Sequence, residues 1–280
     1  MAIRRPAVAG AFYAASPESL KKQIIDCFNH QLGPGRLPGT ITSSGVLSIV
    51  CPHAGYVYSG PAAAHGYLAL SEQKPPETVV IIGPNHTGWG TPVSVMREGI
   101  WETPLGTVAI DSELADKIIE CSPTARSDES AFIREHSVEV QLPFLQFIYP
   151  DFKFVPICMG YQDLETSSEL GKAIYEASQD KEIIVIASSD LTHQESKASA
   201  NKKDQYVLDA IREMNEKKLQ DSVKRHHITT CGYGPISATL VYSKLRKATE
   251  AEILSYYTSG DIIGDTSAVV GYASAKITRN

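Results

Sequence analysis

The chain has 280 residues, of which 42% are hydrophobic and 21% are charged, and its formal net charge is −6. This length suits one large α/β domain or two small ones, and the composition is that of an ordinary globular protein. The negative charge argues against a nucleic-acid-binding protein. The sequence contains no run of about 18 apolar residues, so it does not indicate a membrane span.

The predicted elements begin with a helix after Ser16, which can act as its N-cap, with Pro17 at the first helical position. The segment before it lacks the apolar core of a signal peptide, so we expect a cytoplasmic protein. Five scattered cysteines without a C-x-x-C pair argue against a disulfide framework.

Short apolar runs then alternate with helical segments, as is typical of an α/β sheet. Runs buried on both faces are predicted at 45–50, 78–83, 152–159 and 182–188. Antiparallel additions to the sheet are predicted at 91–96, 106–110, 252–258 and 267–277. Helices are predicted at about 61–72, 111–121, 136–148, 164–178, 199–213 and 235–247. We therefore expect a single domain over 1–280, with a central mixed, largely parallel β-sheet flanked by helices on both faces.

Three of the buried strands run directly into histidine or aspartate. His53 follows the first, His86 follows the second, and Asp190 and His193 follow the run at 182–188. Ligands in open α/β sheets bind beyond the carboxyl ends of the strands, so these side chains are expected to meet in one site. The alternatives are loop histidines bonded to backbone, and a helix-capping role for Asp190.

A cysteine can complete this set. Cys231 stands before two glycines and a predicted helix start, where the helix dipole is expected to lower the pKa of its thiol. Two imidazoles and a carboxylate suit iron(II), whereas an added thiolate favours zinc or copper. The alternative is a buried structural cysteine.

Two further segments bear on the site. His136 and Glu139 are predicted to share a helix face, where Glu135 or Glu139 could orient His136 as a proton donor or acceptor, unless they form a capping pair. After His53, Gly55 and Gly60 are expected to permit a turn. Tyr56 or Tyr58 is expected to provide a pocket wall there.

Five ordered motifs carry a family resemblance that covers nearly the whole chain. They are "PHAGYVYSG", "GPNHTG", "EHSVEVQLPFL", "SSDLTH" and "CGYGPI". In them the sequence resembles the Memo-like family, whose prokaryotic branch is called AmmeMemoRadiSam system protein B. The resemblance implies a fold similar to the class III extradiol (LigB-type) non-haem iron dioxygenases, with a pocket at the strand ends.

The resemblance also implies roles for particular residues. His53, His86 and Cys231 fall at the family's metal-binding positions, and the expected ion is iron(II), with copper or zinc as alternatives. Asp190 and His193 fall beside them in the pocket. Phe12 and Tyr58 fall at its aromatic rim as substrate-binding residues. The dioxygenases carry glutamate where this family carries cysteine, so ring cleavage is not implied.

Partners and activity follow from the same resemblance. It implies association with an AMMECR-type protein and a radical-SAM protein, and a small-molecule or peptide ligand in the pocket. The leading hypothesis is a dioxygenase-like metal-binding protein with redox activity, in which His193, His136 and Asp190 are the catalytic candidates. The second is a non-catalytic pocket for a peptide or a phosphotyrosine-like anion. The third is a hydrolase with Cys231 as nucleophile.

Overall fold

The computed structural model describes residues 2–42 and 45–279. Within this part of the chain, twelve strands form one sheet and nine α-helices accompany it. The strands are β1 (Ile3–Arg4), β2 (Val46–Cys51), β3 (Thr78–Pro84), β4 (Val93–Val95), β5 (Ile100–Thr103), β6 (Gly106–Ile110), β7 (Ala125–Ser127), β8 (Lys153–Met159), β9 (Ile183–Ser188), β10 (His193–Glu195), β11 (Glu250–Thr258) and β12 (Val269–Thr278). The helices are α1 (Pro17–Asn29), α2 (Tyr56–Ser71), α3 (Ser112–Cys121), α4 (Leu142–Ile148), α5 (Leu164–Ala177), α6 (Lys197–Arg212), α7 (Glu216–His226), α8 (Tyr233–Leu245) and α9 (Ser259–Ile263).

The centre of the sheet is parallel. Strands β8, β3, β9 and β2 lie side by side in that order, and each neighbouring pair is parallel. These are the four strands that the sequence predicts as buried, and nearly all their residues are buried. Antiparallel members extend the sheet, among them β12, which pairs with β2, β10 and β11. Strand β6, predicted as an antiparallel addition, is antiparallel to β5 but joins the central strands in parallel with β8. The predicted α/β class with a mixed, largely parallel sheet is confirmed.

Both faces of the central strands are covered, because successive side chains point to opposite faces. In β3, Val79 and Ile81 pack into the apolar cluster that holds α1, α2 and α4, whereas Val80 and Ile82 pack against α3, α5 and α8. Each fully buried aliphatic side chain contributes roughly 1.5–3 kcal/mol. This two-faced burial explains why the runs are almost entirely apolar.

Two predicted elements differ from the structure. Helix α2 starts before residue 61, so Gly60 lies inside it and not in a turn. A Cβ at Gly60 would lie 2.4 Å from Cys27 Sγ, and close packing of α2 on α1 therefore requires glycine there. Tyr56 is buried, its hydroxyl donates to Val140 O, and its ring packs 4.8 Å from Phe144 in the core.

The second difference concerns the helix predicted at 136–148. A 3₁₀ turn occupies Glu139–Gln141, and α4 begins only at Leu142, with Pro143 in its first turn. His136 precedes both elements, so it does not share a helix face with Glu139. Among the described residues, none of the helices is both long and apolar enough to cross a lipid bilayer.

Candidate metal centre

The site lies where three neighbouring strands end. Strands β3, β9 and β2 are adjacent and parallel, so their carboxyl ends meet at one edge of the sheet. The second residue after each of these strands is His86, Asp190 and His53, respectively. The fold thereby brings together the side chains that the sequence predicts to converge.

Three of the predicted ligands form one group. One ligand atom each from His53, His86 and Cys231 lies within 4.8 Å of the other two. The closest pair is His53 Nε2 and Cys231 Sγ, 3.2 Å apart. Ligands that bind one ion at ~2.0–2.3 Å are at most about 4.6 Å from each other, so small side-chain adjustments would suffice. Two nitrogens and one sulfur form a donor set suited to iron, copper or zinc.

His53 is held in the interior. Its ring is 1% exposed, and its Nδ1 lies 2.9 Å from Ser188 Oγ. Its backbone N–H donates to Asp190 Oδ1 at 2.8 Å. Burial, together with the neighbouring histidines, lowers the pKa of His53 well below its usual value. The ring is therefore neutral at pH 7 and has a lone pair for a metal ion.

His86 is more open, with 34% of its side chain exposed. Its Nδ1 lies 2.9 Å from Glu135 Oε1, and its backbone N–H donates to Glu135 Oε2 at 2.7 Å. Burial by itself would raise the pKa of Glu135, but hydrogen bonds and charge attraction from His86 and the Ser137 N–H lower it to about 2. Burial by itself would lower the pKa of His86, but the hydrogen bond and charge of the Glu135 carboxylate prevail, and the pKa of His86 is raised.

Cys231 lies just before α8. Its Sγ accepts from the Asp190 backbone N–H at 3.3 Å. Burial, followed by the charge of Asp190, raises the pKa of the Cys231 thiol, which is the reverse of the effect predicted for a helix N-terminus. A Cβ at Gly232 would lie 2.5 Å from Ser188 O, so glycine is needed to bring Cys231 against β9.

The structure places the other predicted pocket residues as follows. Asp190 is 4% exposed and is absent from the ligand group; its Oδ1 accepts from the N–H groups of His53 and Ala54, and it caps no helix. His193 lies on β10, where its Nδ1 is 3.0 Å from Thr229 O. Tyr58 stands in the first turn of α2 and is 39% exposed.

His136 lies beside the two candidate histidine ligands. Its ring stacks on His86 with centroids 4.7 Å apart and lies 5.4 Å from the ring of His53. The ring of Phe12 also contacts that of His136, with centroids 4.6 Å apart. Burial lowers the pKa of His136 to about 4, against weaker opposite effects of Glu135 and Glu139, so the ring is neutral at pH 7.

A second group of ligand atoms is less suited to a metal. His86, Glu135 and His136 also have ligand atoms within 4.8 Å of one another. The Glu135 oxygens, however, already accept from His86 Nδ1 and from the backbone N–H groups of His86, His136 and Ser137. An ion there would have to displace these hydrogen bonds. Glu135 therefore orients His86, whereas the sequence predicts that it could orient His136.

Two contacts of the candidate ligands are absent from the sequence predictions. These are the bond between His86 and Glu135, and the bond between His53 and Ser188. Both join residues far apart in the chain, so no local spacing reveals them. The available signal was that Glu135 and Ser188 occur inside the same short motifs as His136 and Asp190.

Comparison with known proteins gives a consistent result. A family model described as "Memo-like protein" matches residues 4–276. A MEMO1 family protein of Methanopyrus kandleri is 49% identical over 280 residues, covering 99% of each chain. One of Methanobrevibacter smithii is 48% identical over 277 residues, covering 97% of this chain and 98% of the relative.

A solved structure supports the fold. An uncharacterized Escherichia coli K12 protein, JW3007, superposes with a TM-score of 0.59 over 82% of this chain and 98% of its own. Its sequence is 15% identical to this one, so the likeness concerns the fold alone.

Proposed function

The chain belongs to the Memo-like family, and from that premise we propose that it binds one transition-metal ion through His53, His86 and Cys231. The observation that carries the proposal is the close approach of three ligand atoms of these residues, within 4.8 Å of one another. The proposed ion is iron(II), and the same nitrogen and sulfur donors also suit copper or zinc. When bound, such an ion would supply Lewis acidity and, as iron or copper, a redox couple.

The charge around the site supports a cation. The carboxylates of Glu135 and Asp190 lie directly behind His86 and His53. The low pKa of His53 keeps its ring uncharged, so it cannot attract an anion. The alternative function is a metal-free pocket that captures a phosphotyrosine-like anion, and such a ligand needs positive charge. Among the described residues, no lysine or arginine side chain bonds His53, His86 or Cys231. The pKa of His86 is raised, but by the carboxylate of Glu135 beside it, which would repel an anion.

The remaining predicted residues would act on whatever binds beside the ion. His136, neutral and stacked on His86, is the proposed proton acceptor, and His193 is the second acid/base candidate. Asp190 holds the loop that carries His53 and is proposed to orient it. Phe12 and Tyr58 would contact a small molecule or peptide. A dioxygenase-like oxidoreductase, cytoplasmic location and association with AMMECR-type and radical-SAM proteins remain predictions from the resemblance.

Metal analysis tests the proposal. The protein is purified anaerobically without added metal, and iron, copper and zinc are quantified per chain for the wild type, His86→Ala and Cys231→Ala. The control is His226→Ala, because His226 stacks on Tyr206 at the end of α7 and is absent from both metal-ligand groups. We expect about one ion per chain in the wild type and control and little in the other two variants. Equal content in all four proteins would exclude the site.

A further inference from the structure

The two histidine ligand candidates are each held through Nδ1 by a different buried group. Glu135, which is 0% exposed, holds His86, and Ser188, also 0% exposed, holds His53. Which ring nitrogen carries the proton is decided by the partner's ability to donate or accept. The hydrogen bonds around each partner answer that question.

Around Ser188, every hydrogen-bonding position is accounted for. Its hydroxyl donates to Ser137 O at 2.6 Å, because a carbonyl oxygen can only accept. Its oxygen accepts from Gln141 Nε2 at 2.7 Å. Gln141 is fixed in this orientation, since Nε2 also donates to Pro52 O and Oε1 accepts from Tyr67. The contact of Ser188 with His53 Nδ1 must therefore be one in which Nδ1 donates.

Around Glu135, the same conclusion follows more directly. A carboxylate has no proton to donate, so His86 Nδ1 must carry the hydrogen that joins it to Oε1 at 2.9 Å. Three backbone N–H groups, from His86, His136 and Ser137, hold the carboxylate in place. In both histidines, Nε2 is then the nitrogen with a free lone pair, and in His53 it is the atom that faces Cys231 Sγ.

We propose that Glu135 and Ser188 are positioning residues that fix the Nδ1–H tautomer of His86 and His53 and thereby present both Nε2 atoms to the metal ion. The inference rests on the proposed metal binding. It adds an asymmetry, because His86 has an anionic partner and His53 has a neutral one. An anionic partner increases the basicity of the ligating nitrogen, so Glu135 has the larger effect on metal affinity.

The first test reads the tautomers directly. ¹⁵N chemical shifts of the histidine rings are measured in the full chain, metal-free and with zinc, which is diamagnetic. We expect the proton on Nδ1 of His53 and His86 in both states, with zinc on Nε2. A neutral ring that carries its proton on Nε2, in either histidine of the metal-free protein, would overturn the inference. This reading uses the wild type and depends on no variant.

The second test measures zinc affinity by calorimetry. Changes in partners of metal-binding histidines cost roughly 10- to 100-fold in affinity, and we expect Glu135→Gln near the upper end and Ser188→Ala near the lower end. In Glu135→Gln, the side-chain oxygen should stay where Oε1 accepts from His136 and Ser137, so the ¹⁵N shifts of His86 should still report Nδ1–H, now without an anionic partner.

The matched control is Glu139→Gln. Glu139 is equally buried in the same segment and accepts from Arg4, Ala7, Val8 and Tyr13. It should lose stability yet bind zinc as the wild type does. Folded Glu135→Gln with wild-type affinity would refute the positioning role while leaving metal binding intact. A wild type that binds neither zinc, iron(II) nor copper would instead refute the proposed function, and this inference with it.

Discussion

Glu135 and Glu139 belong to one short segment, are both 0% exposed and each accept four hydrogen bonds, yet they serve different regions. Glu135 bonds a histidine of the candidate metal centre. Glu139 bonds Arg4, Tyr13 and the backbone between them, and so anchors the N-terminal segment. Burial alone therefore does not distinguish a carboxylate that orients a site from one that holds the fold.

The largest expected effect falls on the anchoring region. Arg4→Met leaves Glu139 buried without its ion-pair partner, which typically costs 3–5 kcal/mol of unfolding free energy. Urea unfolding of the metal-free protein measures the loss. The control is Arg5→Met, since Arg5 is exposed and should change stability little. If Arg4→Met also abolished zinc binding in the folded protein, the two regions would not be separable.

The next effect depends on pH and belongs to the site. His136 has a pKa of about 4 in the folded protein, below the usual 6.5, so only the unfolded chain takes up this proton between those values. The contribution of His136 to the free energy of unfolding is therefore fully present above pH 6.5. It is lost as the pH drops toward 4, by roughly 3 kcal/mol in total.

Urea titrations at about pH 7, 5.5 and 4.5 sample the range between the two pKa values and compare the metal-free wild type with His136→Asn. The variant lacks this titration and should lose less stability on acidification. Identical pH dependence in the two proteins would contradict a buried, neutral His136.

Metal addition should give an effect of similar size. An ion that binds only the folded chain adds about 2.7 kcal/mol at a concentration 100 times its Kd. Zinc should stabilise the wild type and Arg4→Met by similar amounts, whereas Cys231→Ala should gain much less. Thermal unfolding with zinc and with a chelator measures the gain. Equal gains in all three proteins would point to zinc bound elsewhere.

The smallest effect concerns an aromatic contact between the two regions, which are also joined by a hydrogen bond from Arg4 Nη2 to the backbone oxygen of Glu135. Phe12 belongs to the anchored N-terminal segment, and its ring lies 4.6 Å from that of His136. Aromatic pairs contribute ~0.5–1.5 kcal/mol beyond area burial, so Phe12→Leu should cost about 1 kcal/mol. We expect unchanged zinc affinity by calorimetry. A large change would mean that the segment helps to shape the metal centre.

How far the sequence predicts this molecule depends on the range of each interaction. The four central strands follow from local apolar runs, and His53, His86 and Cys231 follow from the strand-end rule together with the family motifs. The start of α2 was missed because Gly60 and Pro61 resemble a turn, whereas Gly60 is there for its close contact with Cys27. The partners of the histidines depend on tertiary contacts and have no local pattern.

The distance in sequence between the candidate ligands bears on how the protein folds. His53 and Cys231 are 178 positions apart, and His53 and Ser188 are 135 positions apart. Contacts between residues this far apart form late in folding, because closing a large loop costs chain entropy before the contact can stabilise the protein. An ion therefore has no preassembled ligands to organise during early collapse. The refolding rate should therefore be the same with and without zinc. The ion would bind after the site has folded and would lower only the unfolding rate.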